Sequence, residues 1–368
     1  MNVRVFGESH APEIGVEIGG VRKGVEIDVA ELQRFLDRRA PGNGQGGMST
    51  PRKEPDRPVF ESGVVVSERS DRIVASPLVT TGETIRAVIR NTNVRPQDYG
   101  NVITVPRPGH ADYSSWIKYG KISTGGGKWS GRMTAPLCIA GGIALQMLAR
   151  KGVEVHARVA EVGGREIALN GQDASSPLNA GGKDSALEGV CPADDSVGAV
   201  VEVVATGVPQ GLGDVGTDGL ESKLSAAFFG IPAVKGVEFG DGFKLAAMRG
   251  SEANDAFVLA SADARLSSSV SRPPCLSSSV SRPPASVTLR TNHCGGILGG
   301  ISVGTPIVAR LAFKPTPSIS REQDSVDLET LKPVKLAIKG RHDRCVAFRA
   351  VPVVEAAMAV VLVTEMGL

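Results

Sequence analysis

A glycine-rich segment, RTNHCGGILGGISVGTPI at 290–307, constrains the fold of this chain more than any other. Its glycines stand in two adjacent pairs and at one further position, and they follow the polar residues Asn292 and His293. Glycine weakens the interior of a strand and is used where a ligand or a second backbone comes close. The segment therefore predicts a strand-like run that lines a site.

The composition is that of a globular protein with many turns. Glycine occurs 45 times in 368 residues and aromatic residues make up only 4%, which favours short strands and tight turns over a helical bundle. Strand and helix patterns follow one another irregularly, so we expect an α+β architecture and not a doubly wound parallel sheet. A chain of this length can bury a large core, and we expect residues 1–368 to form one domain.

Charge and cysteine usage exclude several classes of protein. A net charge of +2 from 41 basic and 39 acidic residues gives no global reason to expect a nucleic-acid or membrane partner. The five cysteines are scattered without a CxxC pair, which predicts reduced thiols and neither a disulfide framework nor a metal site. The N-terminus lacks the regions of a signal peptide, and the apolar stretch 350–363 is short for a bilayer span. We expect a cytoplasmic protein.

Capping signals and apolar spacing predict the helices. Asp28 begins a capping-box-like pattern and an apolar face, so we expect a helix over 28–38. Thr134 is the expected cap of a second helix over 135–150. Spacing predicts further helices over 217–229 and 353–365, and a buried strand over 198–205.

A duplicated nonapeptide interrupts the chain before the glycine-rich segment. LSSSVSRPP stands at 266–274 and again at 276–284, separated by Cys275. The unit is rich in serine and proline, and one repetition is too short for a solenoid. We expect 266–284 to be a disordered surface insertion.

Histidine recurs beside glycine in three short polar segments: FGESH at 6–10, RPGHADY at 107–113 and KGRHDRC at 339–345. Because histidine changes charge near neutral pH, His10 and His110 are candidates for proton transfer. An isolated loop histidine is more often structural or merely exposed, but the small and charged neighbours favour function here. In the third segment Arg341 offers bidentate donors to an anion and Asp343 a base partner, although a solvated charged turn has the same composition.

Three further segments have the composition of anion sites. GGGKWSGR at 125–132 precedes a predicted helix, so backbone amides and the helix dipole could hold an anion, but it lacks the order of a P-loop. KPTPS at 314–318 places a lysine and two hydroxyl groups within five residues. Cationic side chains surround the glycine-rich stretch at 41–51, namely Arg38, Arg39, Arg52 and Lys53. The alternative for GGGKWSGR is a plain turn, and the alternative for KPTPS is a stiff connector. The cationic side chains around 41–51 could simply be solvated.

Taken together, these segments resemble the signature blocks of the chorismate synthase family, from residue 6 to about residue 366. The resemblance implies an α+β fold in which antiparallel sheets pack with helices in a sandwich. It implies a lyase of the shikimate pathway of aromatic amino acid biosynthesis, which converts 5-enolpyruvylshikimate 3-phosphate to chorismate and phosphate with reduced FMN. It also implies a homotetramer and an association with NADP.

The resemblance assigns roles to individual residues. It implies that His10 protonates the departing phosphate, that His110 protonates the reduced flavin, and that Asp343 helps flavin N5 to accept a proton. The implied flavin contacts are Lys128, Ser130, Ala233, Gly299, Lys314, Thr316, Ser318 and Arg341, and the implied substrate contacts are Arg39, Arg52 and Arg132. Arg344 departs from the usual proline of the family, which puts the shape of that turn in question.

Two functions of other kinds stay open. The first is a flavin-binding homologue without lyase activity, suggested by the duplicated insertion and by the short sequence before FGESH. The second is an anion-binding or nucleic-acid-binding module, against which the near-zero net charge and the low aromatic content count. We see no additional domain that would reduce the flavin, and therefore expect the protein not to reduce its own.

Overall fold

The computed structural model describes residues 1–41, 48–50, 55–66, 77–91, 103–167, 189–259, 287–338 and 342–368. The helices are α1 (Val29–Arg39), α2 (Asp112–Tyr119), α3 (Thr134–Ala149), α4 (Leu220–Phe229), α5 (Gly250–Ala253) and α6 (Ala347–Glu365). The strands are β1 (Asn2–Gly7), β2 (Glu13–Gly19), β3 (Glu26–Ile27), β4 (Val59–Ser62), β5 (Val64–Val66), β6 (Leu78–Thr80), β7 (Ile85–Arg90), β8 (Glu154–Val162), β9 (Arg165–Glu166), β10 (Ala199–Thr206), β11 (Val234–Phe239), β12 (Phe257–Leu259), β13 (Val287–Leu289), β14 (Ile297–Leu298), β15 (Ile301–Ser302), β16 (Ile307–Phe313), β17 (Gln323–Val326) and β18 (Pro333–Leu336).

Every strand pair in the described part of the chain is antiparallel. A four-stranded sheet has the order β1-β2-β7-β4, and a five-stranded sheet has the order β11-β16-β10-β8-β9. Smaller sheets join β3, β6 and β5, and three hairpins pair β12 with β13, β14 with β15 and β17 with β18. β10 alternates buried and partly exposed residues, as expected of a strand with one face on the core.

Two helices, α3 and α6, lie between the two larger sheets. α3 packs on β2 and β7 of the first sheet, α6 packs on β8 and β10 of the second, and α3 and α6 pack on each other. A Cβ built on Gly141 of α3 would lie 2.1 Å from the Cβ of Ala356 on α6, so only glycine permits this separation of the two helices. The arrangement confirms the expected α+β fold, with antiparallel sheets and helices in a sandwich.

The predicted elements are present, and their boundaries differ where capping was misjudged. α1 is capped as expected, since the Asp28 side chain accepts from the backbone N–H of Glu31 at 2.9 Å. Thr134 was the wrong cap: it is the first residue of α3 and its hydroxyl donates to the Gly131 carbonyl at 2.7 Å. α4 begins at Leu220 because Gly219 has an extended backbone. α6 begins six residues before the predicted start and continues through Pro352.

Two helical segments, Gly131–Ala149 and Ala347–Glu365, are long and apolar enough to cross a membrane. The expectation that the late apolar stretch is too short was therefore wrong, because the helix extends beyond 350–363 at both ends. About three quarters of each segment is buried inside the protein, at 72% and 78%. Their apolar composition is explained by this burial between the sheets.

Candidate active site

A turn of three glycines organises the centre of the site. Gly125, Gly126 and Gly127 all have positive φ, at 62°, 85° and 50°, within the short helical segment Thr124–Trp129. This left-handed region is costly for residues with a Cβ. A second short turn, Gly131–Met133, then leads into α3. The glycine-rich loop thus precedes a helix, as predicted, but two tight turns separate its glycines from the helix itself.

The two predicted catalytic histidines lie against neighbouring glycines of this turn. A Cβ on Gly125 would fall 1.9 Å from Cε1 of His10, and one on Gly126 would fall 3.2 Å from Nε2 of His110. The His10 ring therefore occupies the space that a side chain on Gly125 would need, whereas the His110 ring leaves a tight fit above Gly126. Two segments far apart in the sequence, FGESH and RPGHADY, meet at a surface that only glycine provides.

His10 is held by its own loop and by Asn91. Its Nδ1 lies 3.1 Å from Oγ of Ser9, and that hydroxyl donates to the Gly125 carbonyl at 3.1 Å. Because the hydroxyl proton is used on the carbonyl, Nδ1–H of His10 donates to Oγ. Asn91, at the end of β7, donates to the carbonyls of Ser9 and Ala11 at 3.3 and 2.7 Å and so fixes the loop.

His110 belongs to a buried ionic cluster. Its Nδ1 lies 2.6 Å from Oδ1 of Asp112, a residue that is 1% exposed. Arg107 binds the same carboxylate through Nε at 2.7 Å and through a terminal nitrogen at 2.9 Å. The other terminal nitrogen donates to Oγ of Ser318 at 3.1 Å. The carboxylate is thereby shared between a histidine and an arginine.

Electrostatics keep His110 neutral and Asp112 ionised. Burial lowers the pKa of His110, and the charges of Arg107 and Lys314 act in the same direction, against the hydrogen bond to Asp112, which raises it. Burial alone would raise the pKa of Asp112, but the hydrogen bonds from Arg107 and His110 outweigh it and hold the pKa well below its ordinary value. At neutral pH the pair is a neutral imidazole beside a carboxylate.

The segment KPTPS at 314–318 lies against the cluster of Arg107, His110 and Asp112. Lys314 donates through Nζ to the Gly109 carbonyl at 2.8 Å and through its backbone N–H to the Ala233 carbonyl at 2.9 Å. Ala233 has a φ of 74°, a conformation that is unusual for a residue with a side chain. Oγ1 of Thr316 is buried and has no hydrogen-bond partner among the described residues. Four of the predicted flavin contacts thus lie close together, since Ser318 binds Arg107.

A second ionic cluster surrounds Asp56. This carboxylate is fully buried and binds Nε of Arg39 at 2.6 Å and a terminal nitrogen of Arg132. Burial would raise the pKa of Asp56, but the two guanidinium groups lower it below its ordinary value. Nε of Arg132 also donates to the side chain of Asn91 at 3.2 Å. Two of the three arginines predicted to contact substrate, Arg39 and Arg132, therefore share one carboxylate, which Asn91 connects to the His10 loop.

Asp343 connects the start of α6 to this second cluster. Its carboxylate accepts from the backbone N–H of Thr50 at 2.9 Å and from Arg349 at 3.0 Å. Nε of Arg349 donates in turn to the Arg39 carbonyl at 3.2 Å. Arg344, at the position where the resemblance expects proline, donates its backbone N–H to the Met48 carbonyl at 2.8 Å, a bond that proline could not make.

The remaining predicted residues lie elsewhere or outside the described residues. Gly299 stands at the tip of the β14–β15 hairpin, which packs on 213–220. Lys128 is exposed and lines a cavity of about 460 Å³ together with Gly7 and Pro232. Arg52 and Arg341 are outside the described part of the chain, as are Lys53, Cys275 and the insertion at 266–284.

Four residues of the site were not assigned from the sequence. Arg107 and Asp112 carry a local signal, because the histidine of RPGHADY has an arginine and an aspartate within three residues. Asp56 and Asn91 carry none, since each acts on residues that are distant in the sequence. The latter two could be found only once the fold was known.

Comparison of the sequence with known proteins shows which family this chain belongs to. The family model described as chorismate synthase matches residues 1–366. The chain belongs to the chorismate synthase family. It is 40% identical to a chorismate synthase of Lancefieldella parvula, over 98% of this chain and 93% of the relative. It is 42% identical to a chorismate synthase of Rhodospirillum rubrum, over 97% of this chain and 92% of the relative.

A crystal structure of a chorismate synthase has the same fold. It superposes with a TM-score of 0.63 at 22% sequence identity and covers 99% of this chain and 90% of the other. Membership of the chorismate synthase family makes the protein an enzyme, a lyase of the shikimate pathway, that acts on a small molecule.

Proposed function

We propose that the protein converts 5-enolpyruvylshikimate 3-phosphate to chorismate and phosphate by a 1,4-elimination that requires reduced FMN. The observation that carries the proposal is the meeting of His10 and His110 on adjacent glycines of one turn. Two titratable rings at one surface suit a reaction in which one proton reaches the leaving phosphate and another is held near the cofactor. The sequence relationship to chorismate synthases supports the same reaction.

The described residues fit a flavin nucleotide. Oγ1 of Thr316, two residues along the chain from Lys314, is buried without a partner among them, as expected of a group that a phosphate would satisfy. The cavity beside Lys128 is within the range of about 300–1,000 Å³ usual for small-molecule sites. We therefore assign FMN binding to Lys128, Ser130, Ala233, Gly299, Lys314, Thr316 and Ser318, with Arg341 outside the described residues. When bound, reduced FMN supplies the electron density for C–O cleavage and takes up the ring hydrogen.

The protein itself positions the reactants and handles protons. We assign Nε2 of His10, in the imidazolium form that also donates Nδ1–H to Ser9, as the atom that delivers a proton to the departing phosphate. Arg39 and Arg132 carry two positive charges against the single charge of Asp56, so the cluster keeps a net positive charge that favours an anionic substrate. Arg52, outside the described residues, is assigned to the same substrate contact. Asp343 is assigned to the proton transfer at flavin N5.

Turnover of histidine variants tests the assignment. Chorismate formation is followed anaerobically with chemically reduced FMN, for the wild type, His10→Ala and His110→Ala. Each variant should lose about 10²-fold or more in kcat, the usual contribution of a general acid or base. His156→Ala is the matched control, because this histidine is half exposed on β8 and pairs only with Glu154 among the described residues.

Two results would overturn the proposal. Near-normal turnover of both His10→Ala and His110→Ala would show that neither histidine has the catalytic role assigned to it. A wild-type protein that binds reduced FMN and forms no chorismate would instead be a flavin-binding homologue without lyase activity.

We further infer, from composition and resemblance, a cytoplasmic homotetramer with neither nucleic-acid nor membrane partners. The association with NADP and the inability to reduce its own flavin remain predictions on the same basis.

A further inference from the structure

Asp112 is saturated by hydrogen bonds from a single turn of the chain. Oδ2 accepts from the backbone N–H and Nε of Arg107 at 3.1 and 2.7 Å, and Oδ1 accepts from a terminal nitrogen of Arg107 at 2.9 Å and from His110 Nδ1 at 2.6 Å. The backbone N–H of His110 donates to the Arg107 carbonyl at 3.1 Å, which closes the turn. The carboxylate is thus fixed in both position and orientation.

This geometry determines which ring nitrogen of His110 carries the proton. An ionised carboxylate can only accept, so the 2.6 Å contact requires Nδ1–H as the donor. Arg107 does not select a nitrogen, because its terminal nitrogen lies 3.1 Å from Nδ1 and 3.3 Å from Nε2. A donor nearly equidistant from both nitrogens does not point at one lone pair. Among the described residues, only Asp112 distinguishes the two nitrogens.

We propose that Asp112 is a positioning residue for the reaction: it holds His110 as the Nδ1–H tautomer, so that Nε2 is the nitrogen that exchanges a proton with the reactants. Nε2 faces the triple-glycine turn, where a Cβ on Gly126 would lie 3.2 Å away. Arg107 fixes the carboxylate of Asp112 by donating to it, and Ser318 fixes Arg107 by accepting from it. The catalytic consequence rests on the proposed function, whereas the tautomer does not.

Histidine-selective ¹⁵N and ¹³C NMR of the full chain tests the tautomer directly. The protein has five histidines, and His110→Gln assigns the signal. In the wild type at a pH where His110 is neutral, we expect the Nδ1–H form to predominate. In Asp112→Asn we expect a rise in the Nε2–H form, because an amide can also donate to Nδ1. A wild-type ring that is mainly Nε2–H would overturn the proposal without any variant having to fold.

The same spectra give a pH titration of His110. The charged groups that act on it are Arg107 and Asp112 from its own turn and Lys314 from the segment after β16. Loss of the Asp112 charge removes the attraction that favours the imidazolium, so the titration should move to lower pH in Asp112→Asn. Asp194→Asn removes an exposed carboxylate that pairs with Arg321, and it should leave the His110 titration unchanged.

A double-mutant comparison of turnover separates positioning from a merely structural role. Asp112→Asn should lower kcat about 10-fold or more in the wild-type background, as is usual for the carboxylate partner of a functional histidine. In the His110→Ala background the same change should have little further effect. Equal losses in both backgrounds would show that Asp112 acts on stability alone. If the wild type makes no chorismate, the proposed function fails while the tautomer result stands.

Discussion

Gly125 shows how far the site depends on the absence of a side chain. The ring of His10 occupies the volume that a Cβ at this position would fill, and the backbone there is left-handed. Any other residue must either displace the histidine or change the turn. The glycines of this loop are therefore part of the catalytic geometry as well as of the chain reversal.

Substitution of Gly125 by alanine should separate activity from folding. We expect kcat to fall about 10-fold or more because His10 is displaced, with a loss of roughly 1–2 kcal/mol of stability from the left-handed backbone. Gly131→Ala is the matched control in the same loop, because no described atom lies within 4 Å of a Cβ there and its φ is not positive. Turnover and denaturant unfolding measure both effects. Equal kcat values for the two variants would contradict the steric argument.

The site residues that could be predicted are those with local patterns. His10 and His110 stand out because polar and glycine neighbours surround them, and the cation of KPTPS stands out for the same reason. Asp56 lies in the unremarkable sequence PDRP, yet it pairs with two arginines from other elements. Its importance comes from burial, which sequence neighbours do not encode.

At the scale of elements, periodicity predicted four of the six helices in the described residues and missed the short α2 and α5, and capping predicted helix ends less well. α1 has its cap where the sequence signal places it, because Asp28 and Glu31 are adjacent on the same turn. α6 was predicted to begin after Pro352, but burial of Ala347, Phe348 and Ala350 extends it upstream. Tertiary packing thus outweighed the usual effect of proline.

The β12–β13 hairpin predicts that the duplicated insertion can be removed. Leu259 and Val287, which flank residues 260–286, are directly paired across the two strands. A short turn can therefore join them without moving either strand, and shortening a loop changes the closure entropy by only about 0.6 kcal/mol for each twofold change in length. We expect deletion of 266–284 to leave turnover and unfolding free energy nearly unchanged.

The deletion is informative in either direction. A folded variant without activity would place the insertion in the site, since the chain continues from β13 into Asn292 and Gly299. A sharp rise in activity would favour an impaired homologue. The control is a protein in which 266–284 is replaced by a glycine and serine sequence of equal length.

At the scale of the whole molecule, buried ionisable groups should shape the pH dependence of stability. The folded pKa of His110 lies below its ordinary value of 6.5, so the folded state binds this proton less readily than the unfolded chain. Its contribution to stability is complete above that value and decreases as the pH falls below it. Asp56 and Asp112, whose pKa values lie below 3.8, add a second loss that begins below about pH 4.

Denaturant unfolding between about pH 8 and 3 measures both losses, with a slope of up to about 1.4 kcal/mol per pH unit for each group. His110→Gln should flatten the profile just below about pH 6.5 and leave in place the acidic loss that comes from Asp56. His156→Gln serves as the control with a half-exposed histidine. The expectation fails if the difference between wild type and His110→Gln is independent of pH.

The contact of Gly141 with Ala356 also sets the spacing of the two helices that carry the site. α3 begins beside the triple-glycine loop and α6 begins beside Asp343, and the two helices touch about two turns further along each of them. A larger side chain at Gly141 would meet the backbone of α6 and force the two helices apart, and the residues at their N-terminal ends would separate with them. A glycine well away from the reacting groups therefore helps to set the width of the site.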